Sequence, residues 1–324
     1  MIITRTPYRI SLFGGGTDHP NWYRENGGSV LSFAIDKYCY INIRELPPFF
    51  DHKYRVAYSK VEMTQRIEDI HHPAVREGFR KFASQRFLEL HHHGDLPAQS
   101  GVGSSSAFAV GLIHSLFALN GLEVTPETLA NEAIEFEQVD LLETVGSQDQ
   151  IACALGGLNF IDFGPGNSWS VTPLLLSPDY LHEMEDRIVL LYSGISRLSS
   201  DISKSLLEDL QSKVSMMKRT QELAEEGRAI LERESNLNQI GPMLIESWDL
   251  KRAMNPASVT PLLEEFFHRA IMAGAQGGKV LGAGGGGFCL FWVDPERRDS
   301  FIQQMSPAVP VPIRVSLEGS TRIL

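Results

Sequence analysis

Cysteine is scarce in this chain: three residues in 324, Cys39, Cys153 and Cys289, each alone in an apolar stretch. No spacing suggests a metal or redox pair, so they read as small buried hydrophobes in a reducing compartment. No apolar run reaches the ~18 residues that a membrane span needs. The opening Met-Ile-Ile-Thr-Arg-Thr-Pro lacks the apolar core of a secretory signal. The expectation is a cytoplasmic protein with no membrane partner. Positive charge is also in deficit, with 29 basic against 40 acidic residues and a net charge of −11. That argues against nucleic acid or an anionic membrane as the main partner. A phosphorylated small molecule stays open, because a local basic pocket can sit in an acidic protein. Three familiar catalytic signatures are missing: no G-x-x-x-x-G-K-[ST], no G-x-S-x-G and no H-E-x-x-H occurs.

Glycine, by contrast, is abundant and clustered. Residues 95–107 read Asp-Leu-Pro-Ala-Gln-Ser-Gly-Val-Gly-Ser-Ser-Ser-Ala, followed by an apolar run of helical spacing to Leu119. Glycine lets a backbone turn tightly against a ligand, and serines at a helix start bond near unpaired N–H groups. The combination makes an anion site, with phosphate the expected anion. A second cluster, Gly14-Gly15-Gly16-Thr17-Asp18, ends a strand-like segment that carries Arg9. A third, Gly282-Ala-Gly284-Gly285-Gly-Gly287, formally fits G-x-G-x-x-G. A strand-like Phe-Cys-Leu-Phe-Trp-Val follows it rather than a helix, which argues against a dinucleotide fold. Four consecutive glycines exceed what a hairpin needs, and suggest backbone lying close to a ligand or to an earlier glycine loop. Asp149 stands in a small polar turn, Gly-Ser-Gln-Asp-Gln. Phosphate cradles, an arginine and an isolated acid are the components of phosphoryl transfer, which works by positioning and electrostatics.

Along the chain, residues 1–13, 28–44, 55–61, 158–163, 188–192, 279–283, 288–293 and 311–317 read as strands. Residues 62–70, 73–90, 108–119, 126–137, 200–235, 243–252 and 261–275 read as helices, and Asp294-Pro295 opens a last one. The histidines at 71–72 and 91–93 read as solvated turns, since adjacent histidines in regular structure cannot all face one ion. The second half gives a β-α-α-β-β-α-β pattern, an α+β arrangement with an antiparallel sheet. At this length one large or two moderate domains are expected, divided here as 1–186 and 187–324.

The three glycine motifs, in this order and spacing, resemble the GHMP small-molecule kinases across nearly the whole chain. Residues 97–107 are similar to that family's P-x-x-x-G-L-G-S-S-A loop, with Val102 for leucine and one extra serine. Thr6-Pro-Tyr-Arg9 through Asp18 resembles the first motif, and residues 279–287 the C-terminal one. The resemblance implies a ribosomal-S5-like first domain and a ferredoxin-like second. It implies that Pro97, Gly101, Gly103, Ser104, Ser105 and Ser106 hold ATP, and that Asp149 orients or deprotonates the substrate hydroxyl. Arg9 would steady the transferred phosphoryl. Ser104, with Ser105 as neighbour, and Glu137, with Glu135 close by, would bind Mg²⁺. Gly14, Gly15, Gly16, Thr17, Asp18, Arg197, Gly284 and Gly285 would face the sugar, with Asp18 binding the sugar hydroxyls. Galactokinases carry Gly-Glu-His-Thr-Asp where this chain has three glycines, so galactose is disfavoured. Within the family the motifs look more like the bacterial D-glycero-D-manno-heptose 7-phosphate kinases, which phosphorylate the anomeric hydroxyl. A sugar phosphate needs further cations, and Arg197, Lys204, Lys251 and Arg252 are the candidates. The alternatives are a fucokinase- or galactokinase-like enzyme acting on a free sugar, and a nucleotide- or sugar-binding sensor without turnover. The chain is expected as a monomer or homodimer.

Overall fold

The computed structural model describes residues 1–195, 210–282 and 284–324. Strand β1 (Ile2–Phe13) pairs antiparallel with the 18-residue β2 (Gly28–Glu45), and α1 (Pro20–Asn26) lies between them in sequence. The length of β2 has a structural use. Its first half pairs with β6 (Leu158–Phe163) and its second half with β5 (Leu88–Gly94). Beyond β5 come β3 (Tyr54–Ala57), parallel to it, and β4 (Val61–Thr64). Beyond β6 lies β7 (Trp169–Pro173).

Helix α3 (Ser104–Leu119) crosses the face of β1 and β2 and is buried along most of its length. Helices α2 (Pro73–Phe82), α4 (Pro126–Glu135) and α5 (Gln148–Leu155) pack around it. Thr125 caps α4, accepting from the Thr128 amide at 3.2 Å, with Pro126 at the first helical position.

After α6 (Pro178–Arg187) a second sheet begins with β8 (Ile188–Tyr192). Then come α7 (Val214–Glu232), α8 (Ile240–Met254), α9 (Pro261–Met272), β9 (Ala275–Val280), β10 (Phe288–Val293), α10 (Arg298–Gln304) and β11 (Val309–Val311). The strand order is β11-β8-β10-β9, all antiparallel. In chain order, helices follow the first and third of these strands, which is the split β-α-β arrangement of ferredoxin-like folds. Two features tie the halves together. Helix α7 packs on β1 and β2, with Gly227 against Phe13 and Leu31. The last strand, β12 (Thr321–Arg322), pairs with β1.

Several sequence expectations are corrected. Residues 62–70 hold β4 and a single 3-10 turn (Ile67–Asp69) rather than a helix. The helix expected over 73–90 stops at Phe82, and β5 follows. The strand signal 55–61 splits into β3 and β4. The segment expected as a final strand over 311–317 reduces to β11 and one bridge at Val315. The three adjacent histidines are not in a turn. They belong to β5, where His91 bonds Glu89 at 2.8 Å. His72 caps α2 and stacks on Phe108 at 4.9 Å between ring centroids. Among the described residues no helix is long and apolar enough to cross a membrane.

Candidate active site

The glycine-serine loop leads into α3 through Gly103, whose φ of 72° is left-handed. The loop is held from within. Ser100 Oγ donates to the Pro97 carbonyl at 2.6 Å, and the Gln99 amide donates to Ser104 Oγ at 3.1 Å. It is held from below by β1, where the Arg9 amide donates to the Val102 carbonyl at 3.0 Å. Arg9 then runs its side chain beneath Gly103. A Cβ there would sit 3.0 Å from Arg9 Cγ, so the small residue makes room for the arginine.

Arg9 is the hub. Its Nε and Nη2 donate to the two carboxylate oxygens of Asp149 at 2.7 and 2.6 Å, and Nη1 donates to the Gly101 carbonyl at 2.8 Å. A guanidinium fork matched to a carboxylate fixes both partners in one plane. Burial opposes the charge of Arg9, but Asp149 more than offsets this and raises its pKa. The arginine side chain is 5% exposed and the aspartate 25%, so the acid presents an open edge while the base is enclosed. Two residues 140 positions apart thus meet at the phosphate loop.

Glu137 completes the inner layer. It sits on a π-helical turn (Phe136–Asp140) that continues α4, a local widening common at functional sites. The side chain is fully buried. Oε2 accepts from Ser106 Oγ at 2.7 Å and from Gln150 Nε2, while Oε1 is buried without a partner. Desolvation dominates and pushes this carboxyl up to about 8, with Glu143 and Asp149 adding to the shift and the two hydrogen bonds opposing it. The neighbouring Glu135 points outward to Lys81 at 3.3 Å. Of the three serines that open α3, it is Ser106 that bonds the glutamate. Ser104 turns back to its own loop and Ser105 is exposed, whereas Ser106 meets Glu137.

The Gly14–Asp18 turn lies beside this centre with a different division of labour than expected. Asp18 is 2% exposed. Its oxygens accept from the amides of Gly16 at 2.8 Å and Gln148 at 3.2 Å, and its carbonyl accepts from the Ser147 amide at 3.0 Å. Thr17 is likewise buried, bonded to Gly14 and Ser29. The Asp18 carboxylate, expected at the sugar hydroxyls, accepts from two backbone amides in this arrangement. It tethers the turn to the first residues of α5, which carry Asp149. The groups left with unused capacity are Ser11 Oγ and Gln148 Oε1, both buried without partners and both on side chains beside Gly15. No sequence motif marks them, because serine and glutamine beside a glycine turn are common.

The third glycine cluster leans on the phosphate loop. A Cβ on Gly282 would lie 2.5 Å from Gly101 Cα, and the Phe288 amide donates to the Ser100 carbonyl at 3.1 Å. Gly284 packs on Ser258, and the Gly285 amide donates to the Ser258 carbonyl at 2.8 Å. Of the expected phosphate-binding cations, Arg197 and Lys204 lie outside the described residues. Arg252 faces outward to Asp249 and Glu264. Lys251 turns inward, donating to the carbonyls of Val280 at 3.2 Å and Gly282. Lys279, present in the sequence only as the start of a motif, is buried and donates to the Leu12 carbonyl at 3.0 Å.

Known proteins carry the same plan. GHMP kinases N terminal domain matches residues 69–157, and GHMP kinases C terminal matches residues 228–310. The chain is 30% identical over 319 residues to D-glycero-alpha-D-manno-heptose 7-phosphate kinase of Campylobacter jejuni, covering 94% of this chain and 93% of that one. It is 27% identical to the bifunctional fucokinase/GDP-fucose pyrophosphorylase of Arabidopsis thaliana, covering 95% of this chain but 31% of that one. The fold matches a D-glycero-D-manno-heptose 1-phosphate kinase from Bacteroides thetaiotaomicron with a TM-score of 0.81 at 22% identity, over 100% of this chain and 99% of that one. Residues brought together from β1, the glycine loop and α5 thus lie in a fold shared with the Bacteroides thetaiotaomicron structure and in a sequence similar to the Campylobacter jejuni enzyme over nearly both chains. The chain belongs to the GHMP kinase family, phosphotransferases that move a phosphoryl group from ATP to an alcohol.

Proposed function

We propose that the chain transfers the γ-phosphoryl of ATP to the anomeric hydroxyl of D-glycero-D-manno-heptose 7-phosphate, giving the 1,7-bisphosphate. The observation that carries this reading is the Arg9–Asp149 pair bonded to the Gly101 carbonyl, which sets an acid and a fixed cation at one edge of a phosphate loop. The likeness to the Campylobacter jejuni enzyme over both chains supports the sugar phosphate. Asp149 orients the sugar hydroxyl and accepts its proton, and Arg9 holds charge against the transferred phosphoryl. Backbone amides of residues 101–106 cradle the β- and γ-phosphates. Ser11, Gln148 and the Gly14–Gly16 turn face the sugar.

The inner layer fits Mg²⁺. Glu137 Oε1 is a buried oxygen without a partner, and Ser106 stands beside it. Hard divalent cations take such oxygens together with phosphate oxygens and water. Ser106 and Glu137 would hold the ion, which supplies neutralisation of phosphate charge. In this reading residues 1–186 and 187–324 are the two domains, the first holding the ATP loop and the sugar-facing turn and the second the third glycine cluster, with α7 and the chain end crossing back.

Phosphorus NMR of the product formed from Mg-ATP and the heptose 7-phosphate tests the assignment. A second phosphorus signal coupled to the anomeric proton is expected. Transfer to another hydroxyl, or turnover on free sugars such as fucose alone, overturns it.

A further inference from the structure

Two lysines, Lys279 buried and Lys251 half-buried, lie in the seam between the sheets with no acidic partner among the described residues. Lys279, on β9, is 7% exposed, and its Nζ reaches across to the Leu12 carbonyl at the end of β1. Lys251, on α8, donates to the carbonyls of Val280 and Gly282. All three acceptors are neutral carbonyls. Among the described residues no carboxylate lies within ion-pair distance of either lysine. The nearby Arg9 is a third cation and repels both. Asp149, the carboxylate paired with Arg9, is already held bidentately by that arginine.

Lysine is almost never buried without a partner, because an unpaired ammonium in the interior costs several kcal/mol. A lysine ammonium has three donors. Lys279 uses one and Lys251 two, so three remain unspent in the seam. The location is specific. Lys251 holds the Gly282 carbonyl, and Gly282 touches Gly101 of the phosphate loop. Lys279 holds the residue that precedes Phe13 and the Gly14 turn. Both therefore sit between the ATP loop and the turn on the sugar side. Burial, with the neighbouring cations adding, pushes both amines down to about 7, as expected of charges that lack an anion.

We propose that Lys251 and Lys279 form an inward-facing cationic pair that binds a phosphate group of a bound ligand, the carbonyl contacts being their resting partners. The ligand class is a phosphate monoester or polyphosphate, carried either by the nucleotide or by the sugar. The pair rests on the family's phosphoryl transfer and not on the identity of the sugar.

Calorimetric binding by Lys251→Met, Lys279→Met and Lys279→Arg tests it, using ATP against adenosine and heptose 7-phosphate against free heptose. Methionine keeps length and removes charge. Both methionine variants are expected to weaken a phosphorylated ligand at least ~10-fold while leaving its unphosphorylated counterpart unchanged, and arginine at 279 is expected to retain most of the affinity. Loss confined to ATP assigns the pair to the nucleotide, and loss confined to the sugar phosphate assigns it to the sugar. Unchanged binding of every ligand, or equal loss with and without the phosphate, in variants that keep the wild-type circular dichroism, overturns the proposal. Failure of the wild type to bind heptose 7-phosphate would count against the heptose assignment alone, since the ATP arm still decides the role of the lysines.

Discussion

Arg9 and Asp149 make opposite demands on mutagenesis. Asp149→Asn keeps shape and a hydrogen bond to Arg9 but cannot accept the hydroxyl proton. It is expected to lower kcat by about 10²–10⁴-fold with little change in either KM. Arg9→Lys keeps charge but loses the fork to Asp149 and the bond to Gly101, and should lower kcat by about 10²-fold. Steady-state kinetics of the two variants check this; a wild-type rate in Arg9→Lys would remove the fork from the mechanism. Lys279 adds a pH dependence. Its amine is ordinary in the unfolded chain and near 7 in the fold, so its contribution is full above the unfolded value of 10.5 and lost as pH falls through 7. Arg9 is the charged neighbour that adds to the burial shift. Thermal scans of the free protein between pH 6.5 and 10 should show stability rising with pH less steeply in Lys279→Met than in wild type. An unchanged slope would mean that Lys279 holds its proton in the fold. At this scale motif position points to Arg9, Asp149 and Glu137, and the structure brings them to one place. It does not point to Ser106 over Ser104, since which of three serines turns inward depends on helix phase. Nor does it point to the inward turn of Asp18, whose partner amide on Gln148 lies 130 residues away.

At the scale of elements, the function rests on contacts between loops. The phosphate loop is braced by the third glycine cluster, and Gly282 has both a positive φ of 63° and no space for a side chain. Gly282→Val must push the Gly101 backbone away. Displacement of this kind is expected to lower kcat/KM for ATP by about 10²-fold while the protein stays folded. Titration with ATP alongside circular dichroism checks it, and wild-type kcat/KM in the valine variant would show the contact to be incidental. Elements with clean signals are readable in the sequence: α3 and α4 from apolar spacing and the Thr-Pro start, and β6, β8 and β10 from β-branched and aromatic runs. Residues 61–70 and 83–94 mislead for one reason. Both are short segments of mixed polarity: β4 pairs with the adjacent β3 across a three-residue turn, and β5 with the distant β2. The histidines of β5 have the polar look of a turn, yet Glu89 and the ladder to β2 hold them in a strand.

Across the whole molecule, the two sheets are not independent. Helix α7 from the second half covers β1 and β2, and the chain end returns to pair with β1 through β12. Lys279 crosses the same seam. Unfolding should therefore be one cooperative event. Tryptophan fluorescence, with Trp22 beside the first sheet and Trp292 in the second, should change with urea along the same curve as the far-ultraviolet signal; two separated transitions would contradict this. The α+β pattern of the second half is visible in the sequence. The return of the last strand is not, because two residues of pairing leave no periodicity to read.

The proposed function requires that this site select a phosphorylated sugar over the free one. The most direct measurement is kcat/KM with Mg-ATP for D-glycero-D-manno-heptose 7-phosphate and for the free heptose, with an enzyme-free reaction as the zero. The phosphorylated sugar is expected to be preferred by at least ~100-fold, about 2.7 kcal/mol of transition-state binding. Equal or greater efficiency on the free heptose would contradict it.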